Sequence, residues 1–545
     1  MGRVLGPFTT NKGFKIVQEE NFVLLELACE NVSPYIFASA SLKQILLCNE
    51  KVAQITDKVL SFCAQDLGLK KLEEPKQGDE AWYVLVEQSL GGLKLLLPKA
   101  ELAKQVLACV SLWAIEECPG LELYGAFVPA SFTSESLAQA SLNSASLLHN
   151  KRLNNLQPFR LTWSFSKIAA RDGFPAVGQD EKEQYVSVNN LQPCPKELGQ
   201  KIANAQKELE EAVYSELKLA KTTKLQAVED LEQLAKACPS KKVALVRVRV
   251  KDVLGLEQKL QKSLAKRPLR EQLAGVNKLK VTLAEALRTG LVTGLAKAMA
   301  SEQGDLASNS TLPLFNLLWQ QTELFFFMRS DLVFTLLDTM AASYESSMKK
   351  QGLSSTLQMG MVVMQAKYPL SRALTLCSEL VEHTGHPAFE KKSSHSLLDY
   401  VVLTNEIETD IPALRKRSYT AVDGSLLTAK PFVLGQPRQK MGTSYQPEAS
   451  LADIVADTKL LSSAFPSSFL RQAIDDCHAG QGKSKSSWER LVGNLKRDAN
   501  KQKTVLPSFE RIFADGFFIT RPGAAPFTLL GDYLELRHLF APVEK

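Results

Sequence analysis

The chain has 545 residues, of which 45% are apolar and 23% charged, and its formal net charge is +6 at pH 7. This length predicts about three to four domains, and the composition is that of a soluble globular protein, which excludes fibrous and disordered classes. No apolar run is long enough to cross a bilayer, so we expect no membrane span, and the N-terminal MGRVLGPFTTNKGFK lacks the apolar core of a signal peptide.

The nine cysteines are scattered along the chain, and none belongs to a C-x-x-C pair. Zinc ribbons and redox dithiols therefore have no support in the sequence. We expect buried thiols of a cytoplasmic protein.

The first 150 residues alternate strand and helix patterns. Gly91 and Gly92 lie between two apolar runs, and glycine supplies the positive φ that a tight hairpin turn needs. The order of elements is β-α-β-β-α-β with a trailing helix, which is the ferredoxin-like pattern. The predicted strands are 21–29, 81–87, 93–98 and 121–128, and the predicted helices are 39–69, 99–117 and 134–149.

The same order recurs about 220 residues later, which indicates an internal duplication. A charged, helical stretch at 195–240 separates the two copies. Ser330 or Asp331 is a plausible N-cap for the second helix of the later copy. The predicted strands there are 243–250, 312–319, 324–328, 357–366 and 399–404, and the predicted helices are 254–301 with a break at Pro268, 331–349 and 369–383.

These patterns predict an α+β protein with two ferredoxin-like domains joined by helices. Residues after Pro431 are rich in Gly, Pro and Gln, as in a linker, and the remainder of the chain is mainly helical. We therefore expect a first ferredoxin-like domain at 1–194, a helical connector at 195–240, a second ferredoxin-like domain at 241–432 and a helical domain at 433–545.

Several segments, taken in order, resemble the large subunit of type III CRISPR effector complexes, a palm-domain family whose active members make cyclic oligoadenylates. The resemblance implies that 1–194 is a first palm-like domain and 241–432 a second palm-like domain. In one of them, SKIAARDGFPAV at 166–177, Asp172 stands where the family has threonine. The others are VSPYIFASASLKQIL at 32–46, QAKYPLSRALTLCSEL at 365–380, 397–403, RSYTAVDGSLLTAKPF at 417–432 and FTLLGDYLEL at 527–536.

The resemblance implies two-metal nucleotide chemistry in active members, with carboxylates from the end of a first strand and from a Gly-Gly-Asp-Asp hairpin turn. Here the turn reads Gln320-Gln321-Thr322-Glu323, so both glycines and the first acid are missing. Asp252 fits the Asp-x-x-Gly pattern after the first strand. We expect a degenerate site without catalysis, in which Asp252 and Glu323 are weak metal candidates and no cofactor is bound.

Two further elements of active relatives have no counterpart in the sequence. None of the six histidines is followed by Asp, so we expect no His-Asp nuclease domain, and Cys194 and Cys238 stand alone where a zinc insertion would lie. His383 and His386 are spaced as possible metal ligands, although cationic side chains at a helix C-terminus are the commoner explanation. The three phenylalanines at 325–327 alternate faces of a strand and indicate core.

Basic residues gather beside the second palm. Between Lys241 and Gly290 there are 13 Lys and Arg against 4 Asp and Glu, and a further basic segment runs from Lys483 to Lys503. Such faces neutralise phosphates or are solvated helix surfaces. The RNA-binding candidates are Arg247, Arg249, Lys251, Arg415, Lys416 and Arg417.

We therefore predict a non-catalytic large subunit of a type III CRISPR-like ribonucleoprotein in a prokaryotic cytoplasm. The resemblance implies guide RNA, target RNA, and the backbone and small subunits as partners, and no membrane. One alternative is a divergent nucleotide cyclase that uses ATP with Mg or Mn at Asp252 and Glu323. Another is a nucleotide-binding sensor without turnover.

Overall fold

The structure is a computed structural model. It describes residues 22–30, 32–36, 42–72, 81–89, 91–118, 120–130, 134–154, 178–179, 185–186, 196–217, 231–264, 269–301, 312–319, 322–386, 394–403, 410–435, 451–513, 516–521 and 524–540.

The predicted ferredoxin-like order forms a five-stranded sheet in the N-terminal part of the chain. Strand order is β2-β3-β4-β1-β5, and β1 pairs antiparallel with both β4 and β5. The strands are β1 (Phe22–Glu30), β2 (Lys70–Lys71), β3 (Trp82–Ser89), β4 (Gly92–Leu97) and β5 (Glu122–Ala130), and the helices are α1 (Val32–Ile36), α2 (Leu42–Ser61), α3 (Ala100–Glu117) and α4 (Ser134–Asn154), with a π-helix at Phe62–Asp66.

Helices α4 and α3 lie on opposite faces of this first sheet. Successive side chains of each strand point towards these two faces in turn. The side chain of Glu26 in β1 faces α4, where it accepts a hydrogen bond from Ser144. On the opposite face, Leu107 of α3 packs so closely over Gly125 of β5 that any Cβ there would overlap it. The predicted β3–β4 hairpin is confirmed, with the strands extending to Ser89 and from Gly92.

The second copy of the pattern forms a six-stranded sheet. Its order is β13-β12-β11-β8-β10-β9, in which the ferredoxin-like core β11-β8-β10-β9 is antiparallel and β12 adds parallel to β11. The strands are β8 (Lys242–Val250), β9 (Leu314–Trp319), β10 (Glu323–Arg329), β11 (Leu357–Gln365), β12 (Leu397–Val402) and β13 (Phe432–Val433); the two-residue strands β6 (Gly178–Gln179) and β7 (Tyr185–Val186) pair with each other further upstream.

Of the helices that accompany this sheet, the last was not predicted, and the others match the predicted helical stretches. They are α5 (Lys196–Leu217), α6 (Leu231–Lys236), α7 (Val253–Leu264), α8 (Leu269–Ala300), α9 (Val333–Lys350), α10 (Leu370–Thr384) and α11 (Ile411–Ser418). Leu283, Leu287 and Leu291 repeat every four residues along α8, and all three are fully buried. Phe325, Phe326 and Phe327 are buried, which confirms the prediction of core.

The C-terminal region is mainly helical, as predicted, and shares one hydrophobic core with the second sheet. A two-stranded hairpin, β14 (Ile519–Arg521) with β15 (Ala524–Phe527), was not predicted, because its strands are too short to show periodicity. The helices are α12 (Leu451–Ala464), α13 (Ser467–His478), α14 (Gln481–Arg497), α15 (Ala499–Thr504), α16 (Leu506–Ile512) and α17 (Leu530–Phe540).

The predicted N-cap of α9 is wrong. The helix begins after Leu332, whose side chain makes no capping hydrogen bond. The buried Ser330 hydroxyl donates instead to the carbonyl oxygen of Lys242, and the Asp331 carboxylate pairs with Arg329. Both polar side chains therefore stabilise the loop before the helix rather than its first turn.

The chain divides into two compact units, of which the first includes Lys51–Ser164 and the second includes Val276–Lys545. The expected domain boundaries at 194, 240 and 432 stay predictions. The segment 166–177 with Asp172, and Cys194, lie outside the described residues. Eight described cysteines are free thiols, six of them buried. Among the described helices, none is long and apolar enough to cross a membrane.

Candidate functional site

Asp252 lies just past the end of β8 and caps the helix that follows. Its backbone has a φ of 53°, in the left-handed region, and its side chain is exposed. The carboxylate accepts a hydrogen bond from the Gly255 amide at 3.1 Å. A Cβ at Gly255 would come within 2.3 Å of that carboxylate, so the Asp-x-x-Gly pattern has a local structural reason.

Glu323 begins β10 at the same end of the sheet, but an arginine neutralises its carboxylate. Arg247 Nε donates to Glu323 Oε1 at 2.5 Å, and the two side chains are only 12% and 15% exposed. The guanidinium also donates to the Ser378 hydroxyl at 2.6 Å and lies 4.8 Å from the ring centre of Phe325. Glu323 is therefore part of an internal ion pair that links β10 to β8, and Arg247 also connects this pair to α10.

Arg249 makes a second polar link across the sheet at this end. It lies opposite Gln358 of β11 and donates to Gln358 Oε1 from Nε and Nη2, at 3.3 and 3.1 Å. Burial lowers the pKa of Arg249, while Glu323 acts in the opposite direction. Of the remaining turn residues, Thr322 accepts a backbone hydrogen bond from Val250, and Gln320 and Gln321 lie outside the described residues.

The other basic candidates divide between inward-facing and exposed positions. Asp410 caps α11 by accepting from the Ala413 amide at 2.6 Å. Arg415, in the last turn of this helix, faces inward and pairs with the fully buried carboxylate of Asp399. Lys416 and Arg417 are exposed, and Lys251 is half-buried. The six RNA-binding candidates thus do not form one exposed surface, since Arg247, Arg249 and Arg415 all have internal partners.

His383 lies in the last turn of α10, where its Nδ1 is 2.6 Å from the Asp399 carboxylate. Burial opposes ionisation of Asp399, but Arg415 and His383 outweigh it and hold the pKa of this carboxyl below its usual value. His386 follows the helix and donates its backbone amide to the carbonyl oxygen of His383. No group of three or more potential metal-ligating side chains occurs among the described residues.

A buried ionic cluster, which sequence reasoning missed, joins the loop before β13 to α17. The cluster consists of Lys430, Asp532, Glu535 and Tyr419, and Lys430 and Asp532 have no exposed side-chain surface. Lys430 Nζ lies 2.5 Å from Glu535 Oε2, 3.6 Å from Asp532 Oδ1 and 3.8 Å from the ring centre of Tyr400. The Tyr419 hydroxyl donates to the second oxygen of Glu535.

Three groups of the cluster have shifted pKa values. Burial lowers the pKa of Lys430 to about 7, although Asp532 favours the charged amine. Burial raises the pKa of Glu535 to about 8, against the opposing effect of Arg415. Asp532 also has a raised pKa because of burial, in spite of accepting hydrogen bonds from the Thr428 hydroxyl and the Ala429 amide.

A sequence signal for this cluster existed in α17. Asp532 and Glu535 are three residues apart and share the helix face that carries the buried Leu536 and Leu539. Two acids on an apolar face require buried partners. The two segments in contact, 417–432 and 527–536, are among the segments that carry the family resemblance. Their contact could not be inferred from their positions in the sequence.

Sequence comparisons identify no relative: no family model and no curated protein matches the chain. Solved structures do match. A chain of a Csm1–Csm4 cassette in complex with pppApApA aligns with a TM-score of 0.50 and 11% identity, over 95% of this chain and 70% of that one.

Other matches are weaker. Csm1 of T. onnurineus has a TM-score of 0.42 and 14% identity, over 69% of this chain and 53% of that one. A Csm1–Csm4 subcomplex of the type III-A CRISPR–Csm interference complex has a TM-score of 0.42 and 13% identity, over 68% and 54%. In five other matches to chains of Csm1–Csm4 cassettes, the chain spans about half the length of the solved chain.

The cassette chain with the TM-score of 0.50 covers nearly all of this protein at very low identity. This similarity agrees with the two ferredoxin-like sheets and the helical C-terminal region described above. The resemblance inferred from the sequence is thereby confirmed at the level of fold, and the chain has the palm-type architecture of that Csm1–Csm4 cassette.

Proposed function

We propose that the protein is a non-catalytic large subunit of a type III CRISPR-like ribonucleoprotein in a prokaryotic cytoplasm. Its partners would be a guide RNA, a target RNA, and backbone and small subunits. Support for the assembly comes from the fold shared with a Csm1–Csm4 cassette. Support for the lack of catalysis comes from the second palm itself.

The observation that carries the proposal is the ion pair between Arg247 and Glu323. A two-metal site needs several carboxylates open to cations. Here Glu323, one of the two remaining acids, pairs with the guanidinium of Arg247 at 2.5 Å. A second arginine, Arg249, lies directly opposite Glu323 on the neighbouring strand β8. Asp252 alone keeps an exposed carboxylate, and it also caps α7. These donors do not fit a pair of divalent cations.

The absence of catalysis is tested with ATP, Mg²⁺ or Mn²⁺ and target RNA, using the purified chain and its complex. We expect no oligoadenylate product. Product formation that is lost in Asp252→Ala, but kept in the control Asp475→Ala at an exposed helical position, would contradict the proposal. That result would favour the alternative of a divergent cyclase, for which the exposed carboxylate of Asp252 is the specific observation.

The assembly is tested by co-purification from cells that carry the neighbouring subunits. We expect the chain to retain a small guide RNA and several repeat-type subunits, with RNA retention that falls steeply as salt rises. A chain that purifies alone and free of nucleic acid would refute the role.

The exposed candidates Lys416 and Arg417 provide the finer test of RNA contact. The double variant Lys416→Gln/Arg417→Gln should weaken RNA retention, because both side chains are exposed on α11. Arg249→Gln serves as a comparison, since that guanidinium bonds to Gln358 inside the sheet. Equal RNA loss in the two variants would argue against a direct contact from α11.

A further inference from the structure

The C-terminal helices contain a basic surface that none of the palm residues contributes to. Residues 481–504, which span α14 and α15, contain seven Lys and Arg against two Asp and Glu. One of the two acids, Asp498, accepts hydrogen bonds from the Asn500 and Lys501 amides and so caps α15. The local charge is thus strongly positive.

The cations of α14 are ordered by the helical repeat. Lys483, Arg490 and Arg497 are seven residues apart, so they form one row with intervals of about 10 Å along the helix axis. We call these three residues the basic stripe. All three are exposed, because the helix packs through a different face, formed by Ser484, Ser487, Leu491, Val492 and Leu495.

The stripe is held on a well-packed support. Arg490 lies 4.9 Å from the ring centre of Phe469 in α13, and Trp488 donates its indole N–H to the carbonyl oxygen of Phe513 at 2.9 Å. Among the ion pairs between described residues, none involves Lys483 or Arg497. The charges are therefore presented to solvent from a helix whose position is set by the core.

We propose that the basic stripe of α14 binds the phosphate backbone of a single-stranded RNA. Point charges in a straight row suit a polymer whose negative charges repeat along its length, and such contacts do not require base recognition. An acidic protein segment would need its own carboxylates at matching intervals. The inference deepens the proposed role and rests on it for the identity of the polyanion as RNA.

The test measures binding of a labelled single-stranded 40-nucleotide RNA of mixed sequence to the full-length chain, by fluorescence anisotropy across a range of salt concentrations. The triple variant Lys483→Gln/Arg490→Gln/Arg497→Gln should bind roughly 100-fold more weakly at about 0.1 M salt, and the salt slope should fall by about 2. The double variant Lys483→Gln/Arg497→Gln keeps the Arg490–Phe469 contact and should show about two thirds of the change in slope.

The matched control is Lys104→Gln/Lys349→Gln/Lys350→Gln, which removes the same charge from exposed positions on α3 and α9. Equal weakening in the control and the stripe variant would overturn the proposal, because it would show a general charge effect. Displacement of the RNA by poly-glutamate at equal charge concentration would also overturn it, in favour of an acidic protein partner.

These outcomes are independent of the assembly test. A complex that still forms with guide RNA, together with a stripe variant that binds RNA normally, would refute the stripe and leave the proposed function intact. Stripe-dependent RNA binding by a chain that assembles with no other subunit would support the stripe and refute the proposed function.

Discussion

The side chain of Arg247 decides what Glu323 is able to do. Glu323 keeps an acidic position of the hairpin turn, yet its carboxylate bonds to a guanidinium that also contacts Ser378 and Phe325. A carboxylate in such a pair stabilises the junction of β8, β10 and α10 rather than a free cation. Glu323, although it is an acid at the hairpin turn, therefore has a structural role.

We expect this ion pair to be coupled by about 1–3 kcal/mol in a double-mutant cycle of Arg247→Met and Glu323→Gln, because both side chains are mostly buried. The free energy of unfolding of the four proteins in urea is the measurement. The exposed pair Lys207 and Glu211, 72% and 68% exposed, is the control and should give a coupling below about 0.5 kcal/mol. Equal couplings for the two pairs would contradict the assignment.

The Lys430–Glu535 pair should make stability depend on pH in two opposite ways. Glu535 has a raised pKa of about 8, so the stability it contributes is present at low pH and is lost as the pH rises from about 4.5 to 8. Lys430 has a lowered pKa of about 7, so its contribution is present above about 10.5 and is lost as the pH falls to 7.

The difference in unfolding free energy between the wild type and Lys430→Met/Glu535→Gln should therefore fall from pH 5 to 7, pass through a minimum near pH 7–8 and rise towards pH 10. Urea unfolding at six pH values measures it. Lys349→Met/Glu489→Gln, at exposed positions, controls for the loss of one cation and one carboxylate. A difference that rises steadily from pH 5 would show that Glu535 is not protonated in the folded state.

At the scale of elements, α10 packs against β11 at a distance that only glycine permits. A Cβ at Gly360 would lie 2.5 Å from the carbonyl oxygen of Cys377 and 2.9 Å from the Val381 side chain. This close approach lets α10 cover the sheet face that carries Arg247 and Phe325. The helix therefore packs on the sheet face that carries the Arg247–Glu323 ion pair.

Gly360→Ala should destabilise the protein by about 1–3 kcal/mol, because the added methyl group forces α10 away from β11. Gly493→Ala is the matched control: no atom lies within 4 Å of a Cβ at that position in α14, and helix propensity should stabilise the protein by about 0.5–1 kcal/mol. Thermal unfolding followed by circular dichroism distinguishes them. Two changes of the same sign would contradict this packing.

At the scale of the whole molecule, the second palm and the C-terminal helices are one packed body in the described part of the chain. Their side chains form a single hydrophobic core, which includes Tyr400 of β12 and Tyr533 and Leu536 of α17. The buried ionic cluster crosses the same boundary. Residues on both sides of position 432 therefore share one core.

Removal of residues 530–545 should unfold the second unit, because α17 carries Asp532, Glu535 and the buried Leu536. Near-ultraviolet circular dichroism and urea unfolding should show loss of most tertiary signal. Removal of residues 541–545 alone is the control and should leave α17 in place. A fully cooperative transition after the longer truncation would show that the second palm folds without this helix.

Much of the fold was accessible from the sequence, because hydrophobic periodicity is a local property. The longer strands of both sheets and the buried phenylalanines were predicted to within a few residues, whereas the two-residue edge strands β2 and β13 were not. The break predicted at Pro268 lies outside the described residues. The N-cap of α9 and the β14–β15 hairpin were not, since the first depends on a tertiary partner for Ser330 and the second is too short. For the site, the loss of the glycines and of one acid was visible in the turn sequence.

The amino-acid sequence by itself determined the α+β class and the repeated ferredoxin-like pattern, because both follow from residue types at close spacing. Its resemblance to the palm-domain family indicated the reduced set of carboxylates. Only the tertiary structure decided that Arg247 pairs with Glu323, that Arg415 faces Asp399 and that Lys430 meets Glu535 across 105 residues. The first and last of these contacts join elements far apart in the chain. The burial that lowers the pKa of Lys430 and raises that of Glu535 arises only when those elements pack.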